Sequence, residues 1–194
     1  MKALLVSIAV MSSVLFSSAQ TTKWELDKAH TTISFRSVHL LISKVTGHFE
    51  EYDATIHSDR EDFSDLKVEF TAKVASLNTG IEMRDNHLKS DDFFNAEKYP
   101  NITFKSTSFK KIGDGKYKLA GQLTIRDVTK PIELDVTYGG TIKDPYGKTR
   151  AGFEITGKLN RFDYGLKWNA ALETGGLVVG EMIDIICSVE IIKQ

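Results

Sequence analysis

Apolar and polar residues alternate with a period of two along most of the chain beyond its N-terminal segment. Ile33 and Phe35 share one face of the run Thr31–Ser37, and Leu66, Val68, Phe70, Ala72 and Val74 alternate with Lys67, Glu69, Thr71 and Lys73. The pattern returns in Tyr117, Leu119, Gly121 and Leu123, then in Ile132, Leu134, Val136 and Tyr138. It continues in Ala151, Phe153, Ile155, Gly157 and Leu159, and ends with Ile183, Ile185, Cys187, Val189 and Ile191. Successive side chains of a strand point to opposite faces, so these runs predict antiparallel sheet with one apolar and one wetted face. Gly113-Asp114-Gly115 and Asp144-Pro145-Tyr146-Gly147 read as hairpin turns between them. Pro131 reads as a residue near a strand start, where a missing donor is tolerated.

About eight strands follow, in one barrel or sandwich, and closure is favoured because it removes the edges of long strands. No linker, low-complexity tract or internal repeat divides the chain. Gly47, Gly121 and Gly157 fall among the apolar positions of strands. Glycine there marks either a bend at a barrel corner or space left in the lumen for a ligand.

One helix interrupts the pattern. Thr79 and Glu82 have the spacing of a capping box, and Ile81 and Leu88 would form an apolar stripe behind it. Arg84 and Asp85 flank that stripe, which would bring a cation and an anion to the barrel mouth, where they could hold the polar end of a greasy ligand. The alternative for Arg84 is an ion pair with a neighbouring carboxylate such as Glu97. His87 and Lys89 lie further round the helix. Phe93 and Phe94 read as core or as ligand wall, and Phe162–Gly180, with Trp168, as a lid over the mouth or a packing loop.

The N-terminal segment looks like a targeting signal. Lys2 precedes an apolar run from Ala3 to Phe16, and Ser17-Ser18-Ala19 supplies small residues before a cut ahead of Gln20. The run is shorter than the ~20 residues of a membrane-spanning helix. Residues 1–19 are therefore expected to be a signal peptide and 20–194 one exported domain, periplasmic or secreted, with no membrane segment after processing. The formal net charge of −1 becomes −2 without Lys2, which disfavours nucleic acid as a partner. Cys187 is the only cysteine, so no intramolecular disulfide stabilises the domain.

Candidate chemistry is sparse. His30, His39, His48 and His57 recur every nine residues. An odd spacing alternates faces on a strand, and no zinc-type ligand spacing occurs, so no metal is expected. No G-x-S-x-G elbow is present, and Cys187 lies on an apolar strand face, where thiols are inert. No cofactor and no catalytic residue is predicted. The expected tail contacts are Phe35, Phe49, Phe70, Phe93, Phe94, Phe104, Leu123 and Trp168, and the expected head-group contacts are Arg84, Asp85, His87 and His39.

Several segments together resemble the YceI-like family of exported polyisoprenoid-binding proteins. They are WELDKAHTTISF at 24–35, HLLISKVTGHF at 39–49, RDNHLKSDDFFNAEKYP at 84–100, LTIRDVTKPIELDV at 123–136 and FDYGLKWNAALETGGLVVGEMIDI at 162–185. The resemblance covers essentially the whole mature chain. It implies an all-β, lipocalin-like antiparallel barrel that encloses an isoprenoid or other long-chain amphiphilic lipid. The family's Arg-x-x-His-Leu element falls on Arg84, His87 and Leu88, and its early histidines on His30 and His39; His48 and His57 lie outside its pattern. A lipid carrier is the expected function. A lipid-modifying enzyme and a structural or adhesion barrel with a filled interior are the alternatives, and a homodimer is left open.

Overall fold

The computed structural model describes residues 21–173 and 175–194. The proposed signal peptide lies outside the described residues. The strands are β1 (Lys23–Leu26), β2 (Thr32–His39), β3 (Ser43–Phe49), β4 (Tyr52–His57), β5 (Lys67–Lys73) and β6 (Leu77–Asn78). They continue as β7 (Asn101–Gly113), β8 (Lys116–Ile125), β9 (Val128–Lys143), β10 (Thr149–Asn160) and β11 (Val179–Lys193), with one helix, α1 (Glu82–Lys89).

Three pairs of these strands are single ribbons interrupted by a bend. β11 pairs with β2 along Val179–Ser188 and then with β1 at Ile191–Lys193. β2 and β1 pair in turn with β3 and β4, and those with β6 and β5. Counted as ribbons, the sheet is a closed antiparallel barrel of eight, each next to its neighbour in sequence and the last closing on the first. The period-two pattern has this cause: every ribbon turns one face to the lumen.

The bends interrupt the backbone ladder, and side-chain hydroxyls restore it. Between β1 and β2, Glu190 N–H donates to Thr31 Oγ1 (3.1 Å), and Asp27 N–H to Glu190 O (2.9 Å). Between β3 and β4, Glu51 N–H donates to Ser76 Oγ (2.9 Å), whose own proton goes to Lys73 O (2.8 Å). Where β7 shifts register after Ser106, Val68 N–H donates to Ser106 Oγ (2.8 Å). Unpaired buried amides are costly, so these hydroxyls let the long ribbons bend without loss of pairing.

One end of the barrel, the base, is plugged. The loop between β4 and β5 folds inward and buries Phe63 at 1 % exposure, with its ring 5.1 Å from Trp24, 5.2 Å from Phe153 and 5.6 Å from Tyr138. Asp65 fixes this loop by accepting from Ser58 Oγ (2.7 Å) and Asp59 N–H (3.0 Å). The other end, the mouth, carries α1 and the segment between β10 and β11.

Beside the base, Arg150 donates to Asp27, to Asp144 (2.6 Å) and to Glu190 (2.6 Å), so one guanidinium ties the first strand, the β9–β10 turn and the last strand. A hydrogen bond from His30, with help from Arg150, holds the Asp27 carboxyl at about 2, against the desolvation that opposes it. The same contact with Asp27 raises the His30 imidazole above its usual value.

Two local expectations are corrected. Thr79 does not cap the helix: α1 starts after Ile81 with no side-chain cap, and Thr79 bonds Asp85 instead of Glu82. Ile81 is 53 % exposed, so the helix's apolar contact with the core rests on Leu88 rather than on an Ile81–Leu88 stripe. Pro131 lies near the start of β9, as expected, opposite Gln122.

Two tests follow from the base. Phe63→Ala leaves a hole in a packed aromatic cluster and should cost about 3–5 kcal/mol in urea unfolding; a loss under about 1 kcal/mol would mean that other side chains fill the base. For the ion cluster, a depressed carboxyl pKa stabilises the fold above about pH 4 and loses that contribution as pH falls toward 2. Arg150→Met should therefore lower Tm at pH 7, and the difference from the parent should shrink between pH 4 and pH 2. A constant difference over that range would assign the effect to the arginine stem's packing.

Candidate ligand cavity

Above the base plug the lumen holds a cavity of about 260 Å³. Phe35, Phe49, Phe70, Phe93, Phe94, Phe104 and Leu123 all line it. Trp168 does not; it packs 5.4 Å from Phe93 and 4.9 Å from His87, outside the wall and across the mouth. The only polar side chains among the described lining residues are those of Ser34, Ser37, Cys187 and Arg161. Burial pushes the Cys187 thiol up to about 11, so it stays protonated and weakly nucleophilic at neutral pH.

The lumen glycines neither mark simple corners nor leave empty space. A Cβ on Gly47 would come within 2.4 Å of the Phe35 ring, and one on Gly121 within 2.4 Å of the Phe104 ring and 2.5 Å of Lys105 O. At Gly157 the neighbour is Leu134, also at 2.4 Å. Each glycine seats a large inward side chain flat against the sheet.

Two arginines that the sequence reading did not single out organise the mouth. Arg126, in the β8–β9 turn, donates to Phe93 O (3.1 Å) and Gly165 O (3.2 Å) and pairs with Asp91 (3.2 Å). It joins the segment after α1 to the segment after β10 from outside. Arg161 works from inside. Its side chain is 2 % exposed and donates to Gly180 O (2.9 Å), Trp168 O (2.9 Å), Val179 O (3.1 Å) and Leu166 O. Its guanidinium lies 4.3 Å from the Phe162 ring centre and 5.9 Å from that of Phe93. No carboxylate among the described residues lies within salt-bridge distance of it, and burial lowers its pKa while Glu181 opposes that. Arginine stays protonated in proteins, so a buried cation lies behind the apolar surface of the cavity wall. A sequence signal existed: Arg161 continues the inward parity of Ala151, Phe153, Ile155, Gly157 and Leu159.

The four expected head-group residues are placed differently. Arg84 donates from Nε to Thr79 Oγ1 and from Nη2 to Thr79 O, both at 2.7 Å, and pairs with neither Glu97 nor the cavity. Asp85 is buried beneath the helix and holds Thr79 N–H at 2.9 Å. His87 bonds Asp92 (2.9 Å) and meets the Phe93 and Trp168 rings edge-on. His39 stands at the end of β2, opposite Val179. None of the four lines the cavity. Helix geometry explains the difference: short-range partners on the approach to α1 capture Arg84 and Asp85 before they can reach the lumen.

Among the described residues, Asp27, His30 and Glu190 alone converge closely enough for a metal ion, and Arg150 already bridges both carboxylates. No helix among them is long and apolar enough to cross a membrane.

Comparison with known proteins agrees with this geometry. A UPF0312 protein of Staphylococcus aureus strain N315 is 39% identical over 170 residues, 87% of this chain and 96% of its own length. The crystal structure of a Campylobacter jejuni YceI protein superposes with a TM-score of 0.70 at 39% identity, covering 87% of this chain and 96% of that one. Two more distant structures share the fold. They are BcnA of Burkholderia cenocepacia (TM-score 0.74, 22% identity, 85% and 98% covered) and a polyisoprenoid binding domain from Saccharophagus degradans (0.66, 15%, 88% and 98%). Residues 24–191 match the YceI-like domain, and the chain belongs to the YceI-like family.

Proposed function

We propose that this protein binds and carries an isoprenoid or other long-chain amphiphilic lipid in its lumen, and that it does so after export to the periplasm or the outside of the cell. The observation that carries the reading is the continuous apolar wall of the 260 Å³ cavity. Each methylene that leaves water for such a wall contributes about 0.8 kcal/mol, so a tail supplies affinity without reactive groups. The volume lies just below the ~300–1,000 Å³ of common ligand pockets, so a long tail fills it and continues toward the mouth. The polyisoprenoid binding domain from Saccharophagus degradans has the same fold, which supports a lipid as the occupant. Export rests on the sequence of residues 1–19.

Two alternatives are weaker. An enzyme acting on lipid needs an acid–base pair or an activated nucleophile at the tail. The described wall carries no carboxylate or imidazole, and its thiol is held protonated. A purely structural barrel needs a filled interior, which the cavity opposes.

Native mass spectrometry of purified protein should find a co-purified lipid, and Ala54→Phe should reduce its load. Ala54 lines the lumen and already carries a Cβ, unlike Gly121, where any side chain would strain the sheet. A full load in Ala54→Phe at native Tm would remove this part of the lumen from the binding site. Cys187 gives a second readout: native thiol labelling should be slow, slower still in lipid-loaded than in delipidated protein, and fast on unfolding. Rapid labelling that ignores lipid load would contradict a lumenal ligand.

A further inference from the structure

We propose that the ligand's polar end is an anion, a phosphate or a carboxylate, and that Arg161 binds it beneath the mouth. The inference rests on the lipid-carrier reading and adds the charge and position of the head group. Arg161 is the only charged group among the described residues of the cavity wall. Its guanidinium has five N–H donors. Four of them meet backbone carbonyls of Leu166, Trp168, Val179 and Gly180, which leaves one Nη2 hydrogen and a whole positive charge. Carbonyl dipoles soften the cost of burying that charge but do not neutralise it, and a buried charge ordinarily carries a counter-charge.

Within the wall nothing supplies one. Its other polar side chains are those of two serines and a cysteine, and Glu181, the acid that acts on Arg161, is exposed and is not among the residues of the wall. The cation therefore has no counter-charge within the wall, and an anion seated under the mouth would supply one. Position agrees with that role. Arg161 lies at the mouth end of β10, under the segment whose carbonyls it holds, while the base is sealed by Phe63 and its aromatic partners. A tail pointing down toward the plug puts its head at Arg161. Ser37 lines the same end of the cavity from β2, where β11 pairs it with Ile183, and its hydroxyl donates to Val38 O (3.4 Å).

The test uses delipidated protein loaded with an apolar fluorescent probe and displaced by ligands with matched tails. Farnesyl phosphate is compared with farnesol, and hexadecanoate with hexadecanol. Each anion should compete roughly 10- to 100-fold better than its alcohol, the scale of one charge-assisted hydrogen bond. Comparing the two anions then separates a phosphate from a carboxylate head. Equal competition by anion and alcohol overturns the inference and leaves the carrier reading intact, whereas no displacement by any tail removes the carrier reading itself. Arg161→Lys keeps the charge and should retain part of the preference, and Arg161→Met should abolish it. Because Arg161 also holds the mouth segment, the anion-to-alcohol ratio of the unaltered protein decides the matter if Arg161→Met fails to fold. Loss of the preference in Arg84→Ala, with retention in Arg161→Met, would return the head group to α1 and overturn the assignment.

Discussion

Closure is the constraint on which the rest of this molecule depends. The last ribbon must pair with the first across almost the whole length of the chain, and no edge is left once it does. A closed barrel of long strands has to bend, and each bend threatens backbone pairing inside an apolar wall. Thr31, Ser76 and Ser106 meet that threat by placing a hydroxyl where a ladder partner is missing. Thr31 and Ser76 are correspondingly among the few buried polar residues. Arg150 fastens the same seam from outside by joining the first strand to the last through Asp27 and Glu190.

A closed wall also forces one face of every ribbon to serve two purposes. The inward residues are both the hydrophobic core and the lining of the cavity. Volume at the base is consumed by rings around Phe63, whereas in the middle the rings of Phe35 and Phe104 lie flat on glycines. The chain thus has a solid end and a hollow middle without a change in its alternating pattern. Stability can be drawn from the base while the lumen stays available for a ligand.

Much of this was legible in the sequence because period two maps directly onto facing. The alternation of β5, β8, β9, β10 and β11 fixed which side chains turn inward, and Phe35, Phe49, Phe70 and Phe104 do line the cavity. The bends within ribbons were not legible, since a hydroxyl that completes a ladder looks like any other serine or threonine. The hydrogen bonding at the mouth was not legible for a related reason. A helix's spacing says which residues share a face, but Thr79, Asp85 and Arg84 settle their hydrogen bonds among themselves within seven residues. Arg126 and Arg161 were overlooked because most of their partners are backbone carbonyls, which leave no trace in side-chain type, although the inward parity of Arg161 was readable.

Those two arginines give the mouth a particular physical character. The segments that cover the cavity are held by charged forks on main-chain carbonyls as well as by apolar packing, Arg126 from outside and Arg161 from within. Such bonds are directional, and each fork spans two or more segments, so it fixes their relative position with few residues. Arg161 is also part of the cavity wall, so on the proposed reading the group that holds the cover is the one a head group would meet. An anion that engages its remaining donor must share the guanidinium with the carbonyls of Leu166, Trp168, Val179 and Gly180. Head-group binding and the hold on the cover are thereby linked through one side chain, and a ligand's charge acts on the mouth by the same contact that orients it.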